Sequence, residues 1–279
     1  MAQFVGGFCL PHNPLITGAP DAPSKDQVAR VMDAFTCVRT GIERLRADTV
    51  IVVGDDHYTM FGPEINPRIL IGIGDVEGPI EPWLNITRRP VANDTELARH
   101  LMQQGFEQGF DWAVSKTLSL DHSAMVPIHL AVPANLRVVP VYVSCGVEPY
   151  ISGARCQELG ALLARAVASF PAERRVVILG TGGVSHWVGM PQMGQVNADF
   201  DHRVLGLVEG GQLDALIAMT DDEIVQAAGN GALELRNWIV AMAALPGHAA
   251  RVIAYETVGA WVTGLGFAEL VVPPSPQAT

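Results

Sequence analysis

No run in this chain approaches the roughly 18 uninterrupted apolar residues that a membrane-crossing helix requires, so no membrane span is expected. Cysteine is scarce: Cys9, Cys37, Cys145 and Cys156 are scattered through 279 residues with no CxxC pair. A disulfide framework is therefore not expected, and free thiols are. HExxH is missing, which argues against an ordinary zinc protease. Basic side chains are also in deficit, 18 against 29 acidic ones, for a formal charge of −11. Nucleic acid and anionic membranes are bound mainly through basic surface, so neither is an expected partner. A small anionic substrate stays open, because net charge does not describe a pocket. The N-terminal stretch lacks a basic region, and Pro11 and Pro14 break its short apolar run, so it does not read as a signal peptide. A cytoplasmic location is the expectation.

What is present is apolar substance. With 49% hydrophobic and only 17% charged residues, the composition is that of a globular protein with a large core. Short runs rich in β-branched residues predict buried strands at Thr49 to Gly54, Ile69 to Gly74, Leu136 to Val143 and Arg175 to Gly180. Phe4 to Leu10 and Arg251 to Tyr255 read the same way. Between them, amphipathic periodicity predicts helices over Ser24 to Arg46, Asp94 to Gln108, Ser152 to Phe170, Asn197 to Glu209, Asp221 to Ala228 and Ala232 to Leu245. Ser24 and Asp94 stand where N-caps belong. Alternation of this kind predicts an α/β fold: a single-domain sandwich whose central mixed sheet is flanked by helices on both faces. No repeat, low-complexity tract or linker divides it. One domain should span residues 1–270, with residues 271–279 an irregular tail around Pro273, Pro274 and Pro276.

Chemistry concentrates in four histidines and one glutamate: His12, His57, His122, His186 and Glu234. Two imidazoles and a carboxylate can hold a divalent metal while leaving coordination positions open, the arrangement of non-heme Fe(II) oxygenases. The other two histidines could move protons. His12, His57 and His186 each follow a predicted strand, and open α/β sheets collect ligands at the carboxyl ends of their strands. Any one of them could instead be an ordinary loop residue. Asp55 and Asp56 precede His57. One of them could orient its ring by accepting the second N–H, or the pair could simply cap a turn; Asp121 beside His122 reads the same two ways. Glu234 lies near a helix start marked by Gly229-Asn230-Gly231, where a carboxylate could equally complement the helix dipole.

These stretches resemble the class III extradiol dioxygenases, the superfamily of the protocatechuate 4,5-dioxygenase β subunit and 2,3-dihydroxyphenylpropionate 1,2-dioxygenase. The resemblance rests on Cys9-Leu10-Pro11-His12-Asn13-Pro14-Leu15, Asp56-His57-Tyr58, Asp121-His122 with Val126-Pro127, and Glu234 through Leu245. The most specific segment is Gly180-Thr181-Gly182-Gly183-Val184-Ser185-His186. Ala260 to Gly266 is similar to the propionate-type enzymes, and the whole match runs in order from about residue 6 to 267.

The resemblance implies Fe(II) bound by His12, His57 and Glu234, with His186 as the acid/base and His122 as a second histidine lining the pocket for substrate and O2. It implies extradiol cleavage of a catechol-type dihydroxyaromatic in aromatic-compound degradation, and a reducing cytoplasm suits a ferrous centre. A zinc-dependent enzyme on the same scaffold, or cleavage of an aminophenol or hydroxypyridine, is the alternative. Ser123 stands where a glycine is common, a departure expected to affect His122. Arg88, Arg89, Lys116 and Arg236 are candidates to pair with a substrate carboxylate, although surface salt bridges are the commoner fate. His100 and His202 read as helix-surface residues and His248 as a loop residue. A homo-oligomer is expected, with a small partner subunit as the other possibility.

Overall fold

Alternation along the central strands divides the protein into two apolar layers. Ile51 and Val53 of β2 (Thr49–Gly54) belong to one core and Val50 and Val52 to the other. The same split separates Val176 and Ile178 from Val177 and Leu179 in β7 (Arg175–Thr181). Side chains on a strand alternate faces, so a strand apolar at every position must be covered on both sides. Each fully buried large side chain contributes about 1.5–3 kcal/mol.

The computed structural model describes residues 1–273. Its strands pair as one nine-stranded sheet, in the order β4-β3-β6-β2-β7-β1-β9-β8, with β5 on β3. The further strands are β1 (Gln3–Leu10), β3 (Ile69–Gly78), β4 (Arg89–Val91), β5 (Ala113–Ser119), β6 (Arg137–Val143), β8 (Ala249–Val258) and β9 (Thr263–Val271). β6, β2, β7 and β1 run parallel, while β9, β8 and β4 join antiparallel, so the sheet is mixed as expected.

Helices α3 (Thr95–Glu107), α5 (Gly153–Ser169), α6 (Ala198–Glu209) and α9 (Leu235–Ala243) cover one face. α2 (Lys25–Arg44) and α4 (His122–Ala131) cover the other. The short helices α1 (Leu15–Gly18), α7 (Leu213–Ile217) and α8 (Asp221–Ala228) complete the set. Ser24 and Asp94 cap α2 and α3 as expected, accepting from the N–H of Gln27 and Leu97. The predicted helix over Ala232 to Leu245 begins instead as a 3-10 turn, Asn230–Glu234, before α9.

Besides the short α1, β4 and α7, three longer elements lie outside the sequence expectation. α4 carries Pro127 and is buried on nearly every side, so it has no amphipathic period to read. β5 is polar and sits at the sheet edge. β9 contains Gly264 and Gly266, which dilute a strand pattern. All four cysteines are free thiols, and among the described residues no helix is long and apolar enough to cross a membrane. The expected tail lies mostly outside the described residues.

Candidate active site and metal centre

Parallel strands β2, β7 and β1 end side by side, and just beyond them lie His57, His186 and His12 respectively. His122 opens α4, and Glu234 closes the 3-10 turn that leads into α9. Segments far apart in the chain thus meet at one sheet edge. Glu234 is 2% exposed and accepts from the Gly183 N–H at 2.6 Å. That burial rules out a solvent-facing carboxylate that merely complements the dipole of α9.

Three imidazoles address this one carboxylate through the same ring nitrogen. Nε2 of His57 and of His186 stand 3.2 and 3.4 Å from Glu234 Oε1, and His12 Nε2 stands 3.3 Å from Oε2. Each opposite nitrogen is engaged elsewhere. His12 Nδ1 donates to Thr181 Oγ1 at 3.1 Å, since that hydroxyl directs its own hydrogen at the carbonyls of Val53 and Ser123. His57 Nδ1 donates to Asp121 Oδ2 at 3.2 Å, and His186 Nδ1 to the Val184 carbonyl at 3.0 Å. A neutral imidazole that donates from Nδ1 carries its lone pair on Nε2. In that neutral form three lone pairs converge on one carboxylate, and among the described residues His12 Nε2 is buried without any hydrogen-bond partner.

Glycine makes the close approach possible. Gly182 has φ +138°, and a Cβ there would lie 2.6 Å from Cβ of Glu234. A Cβ on Gly231 would collide with the His186 ring.

The carboxylate that orients His57 is Asp121 rather than either neighbour of His57. Asp56 caps the turn, accepting from the N–H groups of Thr59, Met60 and Phe61. Asp55 takes the Asn237 amide at 2.9 Å, and its Oδ2 lies 3.4 Å from His57 Nε2. Asp121 is fully buried, and it also accepts from Ser123 Oγ and the Tyr142 hydroxyl. Ser123 accordingly acts on Asp121, and through it on His57, not on His122 as expected.

His122 is instead held by a residue the sequence reading missed. Glu81 Oε1 accepts from Nδ1 of His122 at 2.5 Å and from its backbone N–H at 3.2 Å. The only local signal is a lone acid beside Pro79 and Pro82. Asp201 also went unread. It binds Ser185 through the backbone N–H at 2.7 Å and the hydroxyl at 2.8 Å, and takes the Tyr255 hydroxyl at 2.7 Å. That fixes the residue next to His186.

Charge follows this geometry. Burial pushes the Glu234 carboxyl up, but His12 and His186 outweigh it and hold it well below its ordinary value. Burial opposes protonation of His57, yet Asp55, Asp121 and Glu234 together keep its pKa well above the usual one. His186 moves up through Glu234 against the same burial cost. Burial and the neighbouring His57 lower His122. Burial raises Asp55 to about 6, while Asp121, with His57 and His122 overcoming its own burial, sits at about 2.

The donor set fits a divalent metal. Ligand atoms of His12, His57, Asp55 and Glu234 all lie within 4.8 Å of one another, and His122 forms a comparable group with His12 and His57. His100, His202 and His248 stay outside: the first bonds the Ala166 carbonyl and Ser169, the second the Ala198 carbonyl in its own helix, and the third the Leu245 carbonyl. Of the four basic candidates, Arg88 pairs with Glu77, Arg236 is buried against Asp221, and Arg89 and Lys116 are exposed on β4 and β5.

A protein of Burkholderia vietnamiensis named 2,3-dihydroxyphenylpropionate/2,3-dihydroxicinnamic acid 1,2-dioxygenase is 27% identical, over 92% of this chain and 94% of its own length. One of the same name from Rhodococcus globerulus is 24% identical over 89% and 91%. A crystal structure of an uncharacterized protein from Escherichia coli K12 shares the fold, with a TM-score of 0.65 at 14% identity over 95% of this chain and 99% of that one. The family model described as the catalytic LigB subunit of aromatic ring-opening dioxygenase matches residues 6–266. With nearly its whole length inside that match, the chain belongs to the LigB family and is a class III extradiol dioxygenase.

Proposed function

We propose that this dioxygenase opens the ring of a catechol-type dihydroxyaromatic beside its two hydroxyls, using Fe(II) held by His12, His57 and Glu234. The observation that carries the reading is the convergence of Nε2 of His12 and of His57 on Glu234, each ring locked from behind. Held there by His12, His57 and Glu234, Fe(II) would supply the electron transfer that a closed-shell ring and triplet oxygen do not manage alone. Two neutral imidazoles and one carboxylate suit that metal. The protein's own share is to shape the pocket and to move protons.

His186 is the proposed acid/base. With Nδ1 committed to Val184, its Nε2 accepts a proton from the substrate hydroxyl and later returns one to the ring-opened product. His122, its Nδ1 tied to Glu81, lines the same pocket and offers its other nitrogen as a hydrogen-bond partner for substrate. Glu81 is then a positioning residue. Glu81→Ala should lower kcat by about 10–100-fold with metal content unchanged, and Glu81→Gln, whose amide oxygen still accepts from Nδ1, should recover much of the loss. Equal damage from both variants would remove Glu81 from this role.

The proposal extends to a cytoplasmic location, which free thiols suit, and to a homo-oligomer, which rests on the likeness of Ala260 to Gly266 to the propionate-type enzymes. Metal analysis of protein purified without oxygen, followed by O2 uptake and absorbance of yellow ring-opened products across a panel of dihydroxyaromatics, tests the reading. Activity that follows zinc rather than iron, or that consumes no O2, would overturn it.

A further inference from the structure

The wall of the site has a property that its relatives' names do not suggest. The cavity above Glu234 holds about 270 Å³, near the lower end of the roughly 300–1,000 Å³ of small-molecule pockets, which suits one ring with a short substituent. Beyond the site's own residues, its lining is Pro11, Pro14, Leu15, Trp187, Val188, Met193 and Val262, joined by Asn13 and Thr263. Among the described residues, no lysine or arginine lines it.

Asn13 and Thr263 in that wall are already satisfied, which leaves the Trp187 indole N–H as its neutral donor. Asn13 accepts from the Leu15 N–H and donates to the Trp261 carbonyl, and Thr263 donates to the Gly264 carbonyl. A second opening of about 410 Å³ reaches His57 and Glu234 past Tyr58, Glu148 and Tyr150. Among the described residues it too is lined by no cation, and Glu148 adds negative charge. Its polar Asn230 is spent on the backbone of Val188. Val188 and Met193 are 50% and 56% exposed, leaving apolar surface at the mouth.

We propose that the substrate is a neutral catechol whose ring substituent is apolar and uncharged, not an arylpropionate or aryl carboxylate. The inference rests on the ring-cleavage reading above. Among the described residues, a carboxylate carried into this wall would give up hydration and meet no cation, only the neutral indole N–H of Trp187, which leaves most of that cost uncompensated. An alkyl group in the same place gains from leaving water. The histidines do not change this: those of the metal cluster and of proton movement are committed, and His122, whose Nδ1 hydrogen goes to Glu81, offers only an acceptor at its other nitrogen.

Three catechols matched in shape provide the test: 3-propylcatechol, 3-(2,3-dihydroxyphenyl)propionate and the methyl ester of that acid. With the iron-loaded protein, kcat/KM for 3-propylcatechol and the ester should each exceed that for the acid by about 100-fold, as expected for an unpaired buried charge. Anaerobic calorimetry with the same compounds should show the same order in Kd. Met193→Arg should bring the acid level with its ester without weakening 3-propylcatechol comparably. Tighter binding of the acid than of its ester by the wild-type protein would overturn the proposal. Failure to open any of the three rings would instead bring down the ring-cleavage reading, and the calorimetric order would still decide the charge preference.

Discussion

Glu234→Ala is expected to leave a folded protein that no longer retains metal. The carboxylate is the point where Nε2 of His12, His57 and His186 meet, at 3.2 to 3.4 Å, and it supplies the negative charge among the three proposed ligands. Without it two neutral imidazoles remain, so metal affinity should fall by more than the roughly 10–100-fold seen when a mere supporting partner is removed. Asp121→Asn provides that calibration, because Asp121 touches His57 only from behind. Metal content after gel filtration, with circular dichroism to confirm folding, reads both variants. A Glu234→Ala protein holding stoichiometric iron would show that the ligand set is wrong, with the His12, His57 and His122 group as its replacement.

The same cluster sets a pH dependence for metal uptake. Although burial disfavours its charge, His57 titrates well above the ordinary histidine value because Asp55, Asp121 and Glu234 surround it. Below that raised pKa a proton occupies the ring, and a metal ion must displace it. Affinity should therefore weaken as pH falls and strengthen as pH rises through the His57 titration, with protons released on binding. Calorimetric titration with metal in buffers of different ionisation enthalpy measures that release.

His186→Ala has the opposite signature: metal retained, turnover lost. His186 is anchored by the Val184 carbonyl at 3.0 Å and fitted against Gly231, where any side chain would strike the ring. Such positioning serves proton transfer, and removing a positioned acid/base typically costs about 10²–10⁴-fold in rate. The loss should fall mainly on kcat. Glu234 raises the His186 pKa against the burial that lowers it, so the neutral, proton-accepting ring is depleted as pH drops through that pKa. Wild-type kcat/KM should show this acid limb, and the variant should lack it. An empty metal site in His186→Ala would reverse the assignment of roles.

How much of this was legible beforehand varies from residue to residue. Strands such as Thr49 to Gly54 announce themselves because burial on both faces demands an unbroken apolar run, and α2, α3 and α5 do so through their amphipathic period and caps. His12, His57 and His186 were legible for the same reason: each follows a run that had to be a strand, and the ends of neighbouring parallel strands share one edge. α4 was not, since a helix buried all round has no polar face to mark it. Nor were the partners of the histidines. Glu81 lies 41 positions from His122, and Asp121 lies 64 from His57, a carboxylate that adjacency alone would have given to His122.

Local pattern therefore determined which segments become strands and helices and which side chains are capable of metal chemistry, because period, caps and residue type act over a few residues. The pairing of those side chains, the choice of Asp121 over Asp55 and Asp56, and a pocket wall that among the described residues holds no cation were decided only by the tertiary structure. Strand order and helix packing bring distant residues within 3 Å or so, and no short window of sequence contains that distance.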